Sequence, residues 1–302
     1  ASPIMFAPSL RSAIVAGFVL SAASLFAHET WLAPNQGYIA PGLGVRLDLT
    51  SGGKFPILET AIEPVRVAKV GVRLAGDVLT PAINPGPKSL KLGLTPPREK
   101  EGYAVAFASL KAKKLTLTPD LVTEYLDEIG QTAAFLEKWK ARPEPRTWRE
   151  EYRKHAKSFF RVGKPADDSW KEPVGLALEI VPLADPTRGN PSEDFPVQVL
   201  RNGEPASGFT LIALIDALTP RAFAVTDASG KAVFRLGRPG RWLIEGVDLR
   251  ESKKPGLDFE SDFTTMLVTV APPPRPEGSP SPGPSPTPAT ARSPEKKGLR
   301  TP

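Results

Sequence analysis

The sequence predicts a mainly β protein, with an N-terminal β-domain that carries a helical insertion and a C-terminal Ig-like or transthyretin-like β-sandwich. Three observations predict it. Short runs in which apolar and polar residues alternate recur along the chain, the mark of half-buried strands. Turn signals such as Pro41-Gly42, Pro85-Gly86-Pro87 and Asn202-Gly203 separate them. Apolar spacing becomes helical in one region only, within residues 114–165.

In chain order, Met5 to Ala27 carries an export pattern. Arg11 is the positive residue and Ala13 to Leu25 is an uncharged apolar run, too short to span a bilayer comfortably. Residues 1–27 are therefore expected to be a signal peptide cut near Ala27, with Ala23 and Ser24 as competing sites. This places the protein in the periplasm or outside the cell, with no transmembrane segment in the mature chain.

Residues 28–113 read as the N-terminal β-domain. Val45, Leu47 and Leu49 alternate with Arg46, Asp48 and Thr50. Similar alternation runs through Val65 to Val72, Leu90 to Leu94 and Tyr103 to Phe107. Residues 114–165 read as the helical insertion. Thr118-Pro119 is a helix start with Pro at the first helical position. Leu121, Val122, Tyr125, Leu126 and Ile129 then follow helical spacing, and Phe135, Leu136 and Trp139 continue the face past Gly130. A second helix is predicted from Thr147, where Glu150 completes a capping box. It would align Trp148, Tyr152, His155 and Phe159 on one face, beside a basic stripe of Arg149, Arg153, Lys157 and Arg161.

Residues 170–271 read as the C-terminal sandwich. Val174 to Ile180 alternate, Phe195 to Leu200 leads into the Asn202-Gly203 hairpin turn, and Phe209 to Ile215 is an apolar strand. Phe223 to Thr226 and Lys231 to Leu236 are expected to pair as a hairpin across Asp227 to Gly230. Arg241 to Val247 and Phe263 to Val270 complete the set, with Trp242 and Leu178 pointing inward. Residues 272–302 are rich in Pro, Ser, Gly and Thr and predict a disordered tail.

Composition excludes several functions. There is no cysteine, hence no disulfide framework, thiolate site or Cys nucleophile. The formal charge is +6, of which Arg11 carries one and residues 272–302 a net three, so His28 to Ala271 carries only +2. That is no footprint for nucleic acid. No GxSxG, HExxH, P-loop or dinucleotide fingerprint occurs, so a non-catalytic protein is expected. Asp167-Asp168 and Gly52-Gly53-Lys54 read as turns.

Candidate chemistry centres on His28 and His155, the only two histidines. If the signal is cut after Ala27, His28 presents an amine and an imidazole together, a bidentate ligand for nickel, cobalt or copper. Glu29 and His155 are the candidate further ligands, and Asp227, Asp248 and Asp258 are additional oxygen donors. The competing reading of His28 is a strand start, with Trp31 and Leu32 packing. For His155 it is a packed, hydrogen-bonded residue in an aromatic seam.

Several stretches together resemble the NikM-like family of bacterial periplasmic proteins. They are His28 to Leu32, Tyr152 to Lys157, Gly175 to Asp185, Val199 to Ser207, Thr226 to Gly230 and Gly240 to Ile244. The resemblance implies an exported β-rich protein linked to nickel or cobalt uptake, with an envelope transporter component as partner. Two departures stand out. His155 occupies a position that is often aromatic in relatives, and Gly246-Val247-Asp248 stands where relatives often carry a histidine. Two functions are thus expected: a metal-binding or metal-uptake accessory, or a structural or carbohydrate- or protein-binding sandwich without metal.

Overall fold

A computed structural model describes residues 28–130 and 133–272. The predicted signal peptide and the tail beyond Pro272 lie outside the described residues.

The N-terminal strands are β1 (Glu29–Pro34), β2 (Tyr38–Ile39), β3 (Val45–Gly52), β4 (Thr60–Ala61) and β5 (Val67–Leu74). They continue with β6 (Asp77–Leu79), β7 (Ala82–Pro85), β8 (Leu90–Leu94), β9 (Gly102–Leu110) and β10 (Lys113–Leu117). Two helices follow, α1 (Pro119–Glu128) and α2 (Ala133–Lys140), then the long β11 (Trp148–Val162). The remaining strands are β12 (Leu178–Pro182), β13 (Asp194–Arg201), β14 (Glu204–Pro205), β15 (Thr210–Leu214) and β16 (Ala222–Val225). β17 (Lys231–Arg235), β18 (Gly240–Glu251) and β19 (Phe259–Val270) close the chain.

The protein is mainly β and its strands form three sheets. One runs β1-β3-β8-β7, with β4 on β3. A ten-stranded sheet runs β16-β15-β18-β19-β11-β9-β5-β6, with β10 and β2 also on β11. The third runs β12-β13-β14, with β17 on β13. β11 is the hub. It pairs in parallel with β19 over 150–158 and antiparallel with β9 over 159–162, so one sheet crosses from the N-terminal to the C-terminal half.

Side chains alternate across a strand, so successive residues of β11 serve different cores. Ala156, Phe160 and Val162 pack with Leu32, Leu47 and Leu49, against the β1-containing sheet. Phe159 packs with Leu178, Val197 and Trp242, against the β12-containing sheet. Trp242 and Leu178 both point inward, as the alternation predicts.

The helix predicted from Thr147 is instead β11. Trp148, Tyr152 and the basic stripe recur every four residues, and four satisfies a strand's period of two as well as a helix's 3.6. Ladders on both edges decide for the strand. Trp148 and Tyr152 share one face and His155 and Phe159 the other, so the four do not form a single seam. Glu150 is no capping residue. It is fully buried and accepts hydrogen bonds from Tyr125 Oη (2.8 Å), Trp148 Nε1 (2.7 Å) and Ser261 Oγ, tying α1 to β11 and β19.

The hairpin predicted across Asp227 to Gly230 is also corrected. β16 pairs with β15 in the ten-stranded sheet and β17 with β13 in the third, so this turn carries the chain between sheets. Asp227 builds the turn by accepting from the backbone N–H groups of Ser229 and Lys231. The Asn202-Gly203 turn is as predicted, with φ of 51° and 87°, values that Asn and Gly tolerate.

Candidate functional site

The three candidate ligands fall in two places. His28 is half-buried at the edge of a hollow of about 420 Å³, directly before β1. Glu29, one residue on, lines a separate cavity of about 30 Å³, room for a water or two. His155 lines the same cavity, and its Nε2 lies 3.2 Å from Asp262 Oδ1. Nδ1 of His155 is buried without a partner among the described residues. The structure therefore brings Glu29 and His155 to one cavity and leaves His28 apart at the hollow. Among the described residues no three His, Asp or Glu side chains close up to hold a metal ion. Asp227, Asp248 and Asp258 are engaged elsewhere. Asp227 holds its turn, Asp248 accepts from Arg201 at 2.6 Å, and Asp258 from Arg142 at 2.8 Å.

Lys154 joins the hollow and the cavity, and it lines both together with Thr30. It is 7% exposed, and its ammonium donates to the carbonyl of His28. The ammonium also stands over the rings of Tyr152 and Phe263, 5.6 Å and 5.3 Å from their centroids. No carboxylate lies within ion-pair distance of it among the described residues. Burial pushes its pKa down to about 8, against the pull of Glu29 and with the push of Arg66 and Lys113.

Behind Lys154 the small cavity is acidic. Burial raises the pKa of Glu29, partly offset by its own backbone hydrogen bond and by Arg221 and Lys154. Burial likewise raises Glu245 well above the carboxylate range, and the Glu29 charge adds to this. Oε2 of Glu245 has no hydrogen-bond partner among the described residues. Glu128, at the end of α1, completes the acidic wall.

In front of Lys154 the hollow is basic. β11 is paired by β10 over 148–152 and by β9 over 159–162, and the hollow opens beside the interruption between these ladders. Arg66 comes from the single helical turn Pro64–Arg66 and Lys113 from the start of β10. Tyr152 forms part of the wall, and Glu63 is the acidic residue among those lining it. His28 sits at this rim. Its imidazole makes no hydrogen bond among the described residues. Burial, followed by the Lys154 charge, lowers its pKa, with Glu59 opposing. The ring is therefore neutral at pH 7 and free to ligate. The residues present do not fit a closed metal cage. They fit one open imidazole position beside a cationic hollow.

The model of one protein family matches residues 25–247, most of the chain, under the description of a domain of unknown function, DUF4198. The chain belongs to the DUF4198 family. In this DUF4198 chain the matched segment takes in His28, Arg66, Lys113, Lys154 and Glu245. No curated protein matches the chain. Among solved structures it is similar to alpha-2-macroglobulin from Escherichia coli at 12% identity and a TM-score of 0.23, covering 82% of this chain and 16% of that one. It is also similar to the D0-D1 domain of intimin at 13% identity and a TM-score of 0.20, covering 80% and 97%.

Sequence reasoning missed Lys154, Arg66, Lys113 and Glu245. One signal was available for Lys154. On a strand it lies on the face of Trp148, Tyr152 and Ala156, so it is a charge on an inward face.

Proposed function

We propose that the protein is an exported, non-catalytic metal-capture protein of the bacterial envelope, related to the NikM-like proteins its sequence resembles. The ion is of the nickel, cobalt or copper class, the protein ligand is His28, and an envelope transporter component is the partner. The observation that carries this reading is the seat of His28, a half-buried neutral imidazole without a hydrogen-bond partner at the mouth of a hollow of about 420 Å³. Neutral imidazole suits these metals. Removal of a leader after Ala27 would add the amine of the same residue as a second donor. Glu29 and His155 have no part in the ligation. Both line the small cavity, and His155 also pairs with Asp262.

Calorimetric titration of processed protein with nickel chloride, after N-terminal sequencing, tests this. His28→Ala is expected to lower the affinity at least tenfold and His155→Ala to leave it unchanged. Unchanged affinity in His28→Ala would remove the reading.

A second reading, a binding sandwich without metal, draws on the edge strand β16, where Phe223 and Val225 are 65% and 62% exposed. If that edge is the working surface, Phe223→Lys abolishes self-association in sedimentation runs and leaves metal titrations untouched. A monomeric wild type would remove it.

A further inference from the structure

The cations of the hollow beside His28 have only neutral partners. Lys154 is 7% exposed, and its ammonium donates to the carbonyl of His28. Arg66 donates from Nη2 to the carbonyl of Lys111 at 3.1 Å and also bonds the hydroxyl of Tyr152. Lys113, at the start of β10, is exposed. None of the three is ion-paired among the described residues.

The hollow beside Trp139 is built differently. There Arg142 and Arg149 share Asp258, and Arg146 pairs with Glu144. Beside His28, three cations share the lining with one carboxylate, Glu63. Glu63 precedes the helical turn that carries Arg66, but it is exposed and its side chain makes no cap hydrogen bond. Glu29 and Glu245 lie behind Lys154, and burial pushes both carboxyls toward the neutral form. A concave wall left positive draws anions. A ligand with two negative charges would balance this one. The volume of about 420 Å³ is that of a small organic molecule and is more than a single ion needs. Ile62, Leu110 and Ala112 add apolar surface to the lining.

We infer that the hollow binds a small organic dianion, carrying two carboxylates or one phosphate on a short carbon stem. Its oxygens accept from Arg66, Lys113 and Lys154, and its stem rests on Ile62, Leu110 and Ala112. A guanidinium suits either head group because its N–H groups match two oxygens. Binding is non-covalent, needs no metal and does not rest on the metal reading above.

The test is calorimetry on processed protein freed of metal on a chelating resin, with succinate, glycerol 3-phosphate, butyrate and succinamide as titrants. Butyrate and succinamide resemble succinate in size and carry one charge and none. At least one dianion is expected to bind at least tenfold tighter than both, and which one does so separates a carboxylate from a phosphate ligand. Lys113→Gln should weaken that dianion about threefold, and Glu63→Gln should tighten it about threefold; both positions are exposed, so neither change threatens the fold. His28→Ala, which the metal reading expects to lose nickel, should keep the dianion within about twofold, since a neutral imidazole brings no charge. Equal affinities for dianion, monoanion and neutral amide would overturn the inference, and so would affinities that ignore both Lys113→Gln and Glu63→Gln. With no metal present, neither result touches the metal reading, which the nickel titration decides.

Discussion

Lys154 and Lys157 lie three residues apart on β11, both buried, and they meet opposite surroundings. Lys157, on the face of the β12-containing sheet, is 2.7 Å from Glu179 Oε1. Glu179 also accepts from the backbone N–H groups of Val174, Gly175 and Leu176 at 2.8, 2.9 and 3.1 Å. Burial would raise the pKa of Glu179, but the charge and hydrogen bond of Lys157 outweigh it and the carboxyl ends below its ordinary range. Lys154, on the face of β1, has one carbonyl, two aromatic rings and no carboxylate at contact among the described residues. A buried charge pair with its hydrogen bonds complete fixes which strands meet. A buried charge left without its counter-ion is costly to the fold.

The largest effect expected from this contrast is at Lys157. Lys157→Met strands Glu179 among its three N–H donors and should cost about 3–5 kcal/mol in urea denaturation. Lys157→Met/Glu179→Leu should recover most of it. A loss below about 1 kcal/mol in the single variant would erase the distinction between the two lysines.

The next effect is pH-dependent and belongs to Lys154. Its folded pKa, about 8, lies below the ordinary lysine value of 10.5. Between these values the unfolded chain holds the proton and the folded chain does not, so stability rises with pH across that window. Below about pH 8 both states are charged and the burial penalty is present in full. The gain from pH 8 to 10.5 should be of order 3 kcal/mol in wild type relative to Lys154→Met. A difference that is flat across the window would show that Lys154 is not desolvated.

A smaller effect is expected at His155. His155→Gln weakens the contact to Asp262, which keeps Arg250 at 2.9 Å. The loss should be about 1–2 kcal/mol in thermal melts, with metal affinity unchanged. A tenfold loss of nickel binding would instead return His155 to the site.

Part of the fold is legible in the sequence, because strands such as β8 and β17 have one buried face and show it as alternation. Leu47 and Leu49 of β3 and Leu90 and Leu92 of β8 are read without error on that basis. β11 fails because both of its faces are buried and its residues recur every four positions, a spacing that belongs to helix and strand alike. The pairing of β16 and β17 with different partners fails for another reason. A turn signal marks a change of direction and carries no information about which sheet follows.

The candidate site is legible only at its edge. His28 and Glu29 attract attention by residue type and position. Lys154 acquires its meaning from β1, whose His28 carbonyl lies 126 residues away in sequence. Arg66 and Lys113 reach the same hollow from two other segments, and neither carries a motif. A lone Lys or Arg in a short strand reads as solvated until the sheet is assembled.

Lys154→Met, followed by its melting temperature at pH 7, tests the central claim most directly. Methionine keeps the apolar stem and removes the uncompensated charge. The account predicts a melting temperature equal to or above that of wild type. A melting temperature lowered by several degrees would contradict it and make Lys154 a structural residue like Lys157.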